Sequence, residues 1–200
     1  ETLGHGLCDH PGARDYPRRI VASSERLELM VYNVLSFARL ERDVWKPRIA
    51  PLAVSDLAAW LAADPVARAV RPVDFTADIA ADLTLSADPD LVRLMLSNLL
   101  DNAAKYATAD RVKVSFSGHI DDGGTHLAIS DDGPGLGALD PRTLFADFQR
   151  GDVQGVHGTG LGLSICKMVM ALHGGTIDVA SSPAGTTFTA HFPHLSPTGE

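Results

Sequence analysis

A two-layer α+β sandwich preceded by the remnant of a helical hairpin is the fold class this sequence predicts. Three observations carry it. Apolar residues recur at helical spacing in segments separated by short alternating runs, and most of those runs come in consecutive hairpins. That order, with helices interspersed, implies an α+β layer sandwich rather than a doubly wound parallel sheet. Hydrophobic residues make up 45% and charged residues 21% of 200, the balance of a chain that buries a core.

From about Asp15 to Arg42, no Gly occurs and no Pro follows Pro17. Ile20, Leu27 and Val34 lie seven apart, with Met30, Val31, Phe37 and Ala38 filling the same stripe. Such a helix needs a partner. Residues before the breaker Pro11-Gly12 read as the end of a preceding helix, so 1–46 is expected to be a truncated hairpin, mainly its second helix. Packing of this helix on its own domain is the alternative. Pro47 and Pro51 mark a connector. A helix follows from Ser55, read as its N-cap, to about Ala69. Val73–Ile79 and Leu83–Ala87 are extended, and a second helix spans Asp90–Tyr106. Val112–Ser117 and His126–Ser130 form strands around the turn Asp121-Asp122-Gly123-Gly124. A third helix runs from Gly162 to His173. Thr176–Ala180 and Thr186–Phe192 close the domain around Ser182-Pro183-Ala184-Gly185. The second domain is expected to cover 47–195, leaving 196–200 as a tail.

Charge and composition exclude several functions. Seventeen Lys+Arg against 25 Asp+Glu give −8, which argues against binding nucleic acid through a basic face. A compact anion site built from backbone amides and a metal ion remains possible. No apolar run reaches the roughly 18 residues of a membrane span. Cys8 and Cys166 have neither disulfide-framework nor metal-ligand spacing, which suggests a reducing cytosol. Because the chain starts at Glu1, it is expected to be a piece of something longer.

Three segments carry candidate chemistry. On the second helix, Asn98 and Asn102 fall on or beside the face formed by Leu91, Leu94, Met95 and Leu99. Buried amides must find partners. They either bond nearby backbone or, with Lys105 three residues on, ligate Mg²⁺ and reach a phosphate. Asp131-x-Gly133-x-Gly135 follows a strand; it is either a tight surface turn or a carboxylate placed for an exocyclic amine such as that of adenine. Gly155, Gly158, Gly160 and Gly162 lead into the third helix, forming either a hinge or a phosphate site at a helix N-terminus. No Lys-Ser or Lys-Thr follows a glycine, so this is not a P-loop.

Taken together, Leu96-Ser97-Asn98-Leu99-Leu100-Asp101-Asn102-Ala103-Ala104-Lys105-Tyr106, Asp131-x-Gly133-x-Gly135, Phe145-Ala146-Asp147-Phe148-Gln149-Arg150 and Gly158-Thr159-Gly160-Leu161-Gly162-Leu163 resemble the nucleotide-binding boxes of sensor histidine kinases. Ala87-Asp88-Pro89-Asp90, His173-Gly174-Gly175 and Gly185-Thr186-Thr187-Phe188 resemble that family too. The resemblance covers about Pro47–Pro193 as the catalytic ATP-binding domain and implies the Bergerat-type sandwich. It further implies that Asn98 and Asn102 hold Mg²⁺ against the ATP phosphates, that Lys105 touches a phosphate, and that Tyr106 packs near the sugar and base. Asp131 would read the adenine amine, with Gly133 and Gly135 making room for the ring. Phe145 and Phe148 would anchor the lid, Arg150 would lie near the γ-phosphate, and amides around Gly158, Thr159, Gly160, Leu161 and Gly162 would cap the phosphates. Thr187 would support the adenine. Asp132 stands where the family usually has Asn.

The implied reaction moves the ATP γ-phosphoryl to a histidine on a dimerisation helix and then to an Asp of a response regulator. In gyrase and MutL relatives a Glu one turn before the metal-binding Asn activates water; here that position is Asn98. Without a carboxylate base, transfer to a positioned nucleophile is favoured over hydrolysis. A nucleotide-gated ATPase or clamp is the alternative, as is a non-catalytic nucleotide-binding module. Leu35-Ser36-Phe37-Ala38-Arg39-Leu40-Glu41 resembles the second hairpin helix, whereas His5 and His10 lack the phosphoacceptor box. The fragment is therefore expected to bind Mg-ATP without autophosphorylating. Its expected partners are a response regulator and the dimerisation helix of a second protomer, with no nucleic acid and no membrane contact by this fragment, in the cytoplasm, either alone or as the cytoplasmic part of a membrane-anchored sensor.

Overall fold

The computed structural model describes residue 24 and residues 31–42, 45–63, 71–137, 139, 140, 143–145 and 160–194. Helix α1 covers 31–41. β1 (Ala50–Ala53), α2 (Val54–Ala62), β2 (Val73–Ile79), β3 (Thr84–Ala87) and α3 (Pro89–Tyr106) follow. The chain continues through β4 (Val112–Asp121), β5 (Gly124–Asp131), α4 (Gly162–Leu172), β6 (Thr176–Ser182) and β7 (Gly185–Pro193). The main sheet has the order β2-β4-β5-β7-β6, and β1 pairs with β3 in a separate ribbon. Only β2–β4 is parallel within the main sheet; its other pairs are antiparallel. Leu91, Met95 and Leu99 of α3, Ile165 and Val169 of α4, and Phe116, Leu127, Ile129 and Phe192 of the sheet share one core. A sheet covered by helices on one face is the predicted sandwich.

Two local expectations fail for identifiable reasons. β1 lies where only a connector was expected, because Pro51 is accommodated opposite Ser86 in a two-stranded ribbon, where an edge position does not need its N–H. Ser55 is not the cap of α2. The helix begins at Val54 with no side-chain cap bond, and the Val54 N–H instead donates to the Leu83 carbonyl at 3.0 Å. On α1, Val31, Val34 and Leu35 are exposed, while Asn33, Ser36 and Leu40 are buried against the domain and Phe37 packs on the core. Helix α1 therefore meets the domain through a partly polar face and leaves part of its apolar stripe exposed.

The start of α3 shows how sequence fixes the element that carries the site. Asp88 caps it, its Oδ1 accepting from the Asp90 and Leu91 amides at 2.9 and 3.1 Å, and Pro89 supplies the preset φ of the first turn. The other oxygen accepts from the Arg48 amide at 2.8 Å. His173 holds the same corner from α4. Its Nδ1 lies 2.7 Å from the Val169 carbonyl and its Nε2 accepts from the Asp88 amide at 3.0 Å, which fixes the Nδ1–H tautomer. Beyond His173, the Gly175 and Gly174 amides donate to the Met170 and Ala171 carbonyls. This is a Schellman close, with Gly174 at φ +66°. The His-Gly-Gly motif is thus a structural joint between α4 and α3.

Burial alone would raise the pKa of Asp88, but amide donors from Arg48, Leu91 and Asp90 hold its carboxyl below the ordinary value. Its stabilising contribution is therefore present above the unfolded carboxyl pKa and disappears as pH falls through the lower folded one. Asp88→Ala is expected to cost about 2–4 kcal/mol, a lost cap plus an orphaned buried amide. Urea denaturation at pH 7 and at pH 3 measures it. An unchanged midpoint at pH 7 contradicts the assignment. Cys166 is buried in the same core, and burial pushes its thiol far up, so it stays protonated.

Candidate functional site

The exposed and half-buried ends of α3, β5 and α4 meet on one side of the sandwich. Asn98 is 2% exposed. Its Nδ2 donates to the Leu94 carbonyl at 2.8 Å, and its Oδ1 accepts from Asn33 Nδ2 of α1 at 2.9 Å. The oxygen expected to face a metal is therefore held by α1. One turn on, Asn102 is half-buried, and among the described residues no side-chain hydrogen bond engages it. Lys105 is paired with Asp101, both largely buried, so its ammonium is not directed only at a ligand. Asp101 escaped the sequence reading, although an acid four residues before Lys is a recognisable helical pair. Tyr106 is 40% exposed at the helix end.

Helix α4 opens against Asn98. A Cβ on Gly162 would come within 2.9 Å of Asn98 Oδ1, so only glycine permits this approach. The α4 start has no side-chain cap bond, and the first-turn amides of Gly162, Leu163 and Ser164 have no intrahelical acceptor. Leu161 is buried, and its carbonyl takes the Ile165 amide and the Ser164 hydroxyl, each at 2.9 Å. Gly160 just ahead has φ +72°. This is a helix N-terminus presenting partial positive charge beside Asn98.

Asp131 ends β5, with its Oδ1 accepting from the Gly133 amide at 2.8 Å. Burial pushes its carboxyl up; the Gly133 and Thr186 amides oppose that, and Asp132 adds to it. A half-buried carboxylate with no cationic partner among the described residues is suited to a neutral N–H donor. Asp132 instead joins the strand ends, accepting from the Lys113 amide at 2.8 Å.

The two glycines of this motif do not leave an empty space here. A Cβ at Gly133 would meet Asp131 Oδ1 at 2.7 Å, and one at Gly135, at φ +73°, would meet the Ser182 carbonyl at 2.1 Å. They let the protein pack on itself behind the carboxylate. Thr187 lies on the opposite face of its strand from Asp131's partner. The register pairs Asp131 with Thr186 and Ser130 with Thr187, so the pleat puts Thr186 on Asp131's face and Thr187 on the other. Thr187 Oγ1 lies 2.8 Å from Ser130 Oγ there. Phe145 packs edge-on against Phe188, centroids 6.3 Å apart, and so lies against the core. Phe148, Arg150, Gly158 and Thr159 lie outside the described residues, as do His5 and His10.

A 310 Å³ groove on the solvent face of the sheet includes Asp74, Lys113, Ser130 and Asp131. Among the described residues it is lined by none from α3 or α4.

A family profile described as histidine kinase-, DNA gyrase B-, and HSP90-like ATPase matches residues 87–196. The sensor-like histidine kinase SenX3 of Mycobacterium tuberculosis is 30% identical over 200 residues, covering 98% of this chain and 48% of the relative. The chain spans about half or less of the length of such curated relatives. Among solved structures, the mycobacterial sensor histidine kinase MprB superposes with a TM-score of 0.62 at 27% identity, covering 72% of this chain and 97% of that one. Full-length ShkA in complex with AMPPNP gives a TM-score of 0.70 at 27% identity, covering 94% of this chain and 41% of that one.

Proposed function

The chain belongs to the histidine kinase-, DNA gyrase B-, and HSP90-like ATPase family as the ATP-binding part of a sensor histidine kinase, and we propose that it passes the γ-phosphoryl of ATP to a histidine on a dimerisation helix. Relay to an Asp of a response regulator follows from that reading. The observation that carries it is the convergence of Asn98, Asn102 and the uncapped start of α4 on one side of α3, with Asp131 at the neighbouring strand end. First-turn amides bind phosphate oxygens, Asp131 orients the base by accepting from its amine, and Thr186 supports that carboxylate through its backbone amide.

The donor set fits Mg²⁺ through amide oxygens: Asn102 would hold it, joined by Asn98 once that oxygen leaves Asn33. Bound there, the ion supplies charge neutralisation on the phosphates. No carboxylate on α3 is poised to activate water. Asn98 occupies the place a base would need, and Asp101 is tied to Lys105. That favours transfer over hydrolysis. The exposed Val31, Val34 and Leu35 of α1 suit a partner helix of a second protomer. No helix among the described residues is long and apolar enough to cross a membrane, and a cytoplasmic setting supplies both ATP and the regulator.

The test combines labelled Mg-ATP, this chain and a separate, complete hairpin carrying its histidine. Acid-labile, base-stable label is expected on the added hairpin and none on this chain alone. Steady phosphate release without transfer supports an ATPase instead, and label on this chain alone contradicts the expected loss of autophosphorylation.

A further inference from the structure

We propose that His119, Asp121 and His126 form a binding site for a borderline transition-metal ion, with Zn²⁺ as its probe, at the end of the sheet remote from Asp131. The strand register sets His119 opposite His126 and His126 opposite His191. Three imidazoles therefore stand abreast on β4, β5 and β7, on the face away from the helices. Asp121 lies two residues beyond His119 on β4, so the pleat returns it to that same face. One ligand atom from each of His119, Asp121 and His126 lies within 4.8 Å of the others. In a tetrahedral Zn²⁺ site with bonds of 2.0–2.1 Å, ligand atoms sit roughly 3.3 Å apart. Side-chain rotation of His119, which is exposed, covers the difference without moving the strands.

The carboxylate is already oriented. Its Oδ1 accepts from the Gly123 and Gly124 amides at 2.8 and 3.2 Å, which turns Oδ2 to within 2.9 Å of His126 Nε2. That Nε2 atom is buried and makes no well-formed hydrogen bond. The His119 and His126 rings are stacked, 4.6 Å apart and 1° from parallel. An imidazole–carboxylate contact alone explains His126 and Asp121 but gives no reason for His119. Two imidazole nitrogens and one carboxylate oxygen suit Zn²⁺, whereas Mg²⁺ prefers an all-oxygen octahedron. A fourth position remains for water or for His191, whose ring centroid is 4.5 Å from that of His126. About five residues of strand, roughly 17 Å, separate this cluster from Asp131, so occupancy here does not depend on the nucleotide reading.

Equilibrium dialysis of the 200-residue chain against Zn²⁺ alone is expected to show one bound ion, and Co²⁺ substitution a visible tetrahedral-type absorption. His126→Gln and, separately, the exposed His119→Gln should each weaken binding at least tenfold. The thermal shift produced by ATP should remain in His119→Gln, which also shows that the variant is folded. Zn²⁺ binding unchanged in both variants would place the ion elsewhere and overturn the proposal. So would no bound Zn²⁺ in the unaltered chain.

Discussion

Asp131→Asn is expected to abolish the ATP-induced rise in melting temperature while making the ligand-free chain more stable. The carboxylate accepts from the Gly133 and Thr186 amides. An amide in its place has one oxygen for those two donors, so its NH₂ is left facing the ligand's own amine. Donor against donor replaces a charge-assisted hydrogen bond. The loss is about 3–4 kcal/mol, on the order of 100-fold or more in affinity. Stability moves the other way because the Asp131 carboxyl is pushed up, chiefly by burial. A folded pKa above the unfolded one means that ionisation costs stability, a cost that sets in as pH rises through the folded value. Asn does not ionise and escapes it. Titration calorimetry with ATP and a melting curve without it separate the two effects. The same carboxyl should make ATP affinity of the unaltered chain fall, on acidification, at a higher pH than an ordinary exposed Asp would. Retained affinity in Asp131→Asn would remove Asp131 from the site.

What the sequence disclosed depended on whether local chemistry alone determined the outcome. β2 runs Val73–Ile79 as expected, and α3 needs only its Asp-Pro start and its apolar period. The Gly124–Asp131 and Gly185–Pro193 strands extend beyond the expected ones, because pairing carries a ladder past the last apolar residue. Misreadings cluster where a distant partner decides. Ser55 lost its capping role to a carbonyl from the β3 approach. Adjacent threonines, Thr186 and Thr187, cannot be told apart by composition, since only the register with β5 assigns each to a face. Asn33 was unremarkable on an apparently apolar helix, yet it is buried against Asn98. Asn33, Ser36 and Leu40 meet the domain on α1, a side that the helix's own periodicity does not single out.

That Asn33–Asn98 contact sets the second large effect, on the two asparagines of α3. Asn102→Ala is expected to lower phosphotransfer to an added histidine hairpin at least about 100-fold, because a truncated amide takes away the oxygen ligand that would hold Mg²⁺ on the phosphates. Stability should hold. No side-chain hydrogen bond of Asn102 is lost among the described residues, and Ala is the better helix former by a few tenths of a kcal/mol. Asn33→Ala should act in the opposite direction. Asn98 Oδ1 now accepts from Asn33 at 2.9 Å, and any ligand that needs that oxygen must first break the bond. A net hydrogen bond is worth about 0.5–1.5 kcal/mol, so releasing it should tighten Mg-ATP binding about two- to tenfold. The gain should be absent with ATP in EDTA, where Mg²⁺ is removed. Weaker binding in Asn33→Ala would mean instead that α1 holds Asn98 in the geometry that binds, and that the docked helix assembles the site rather than competing for it.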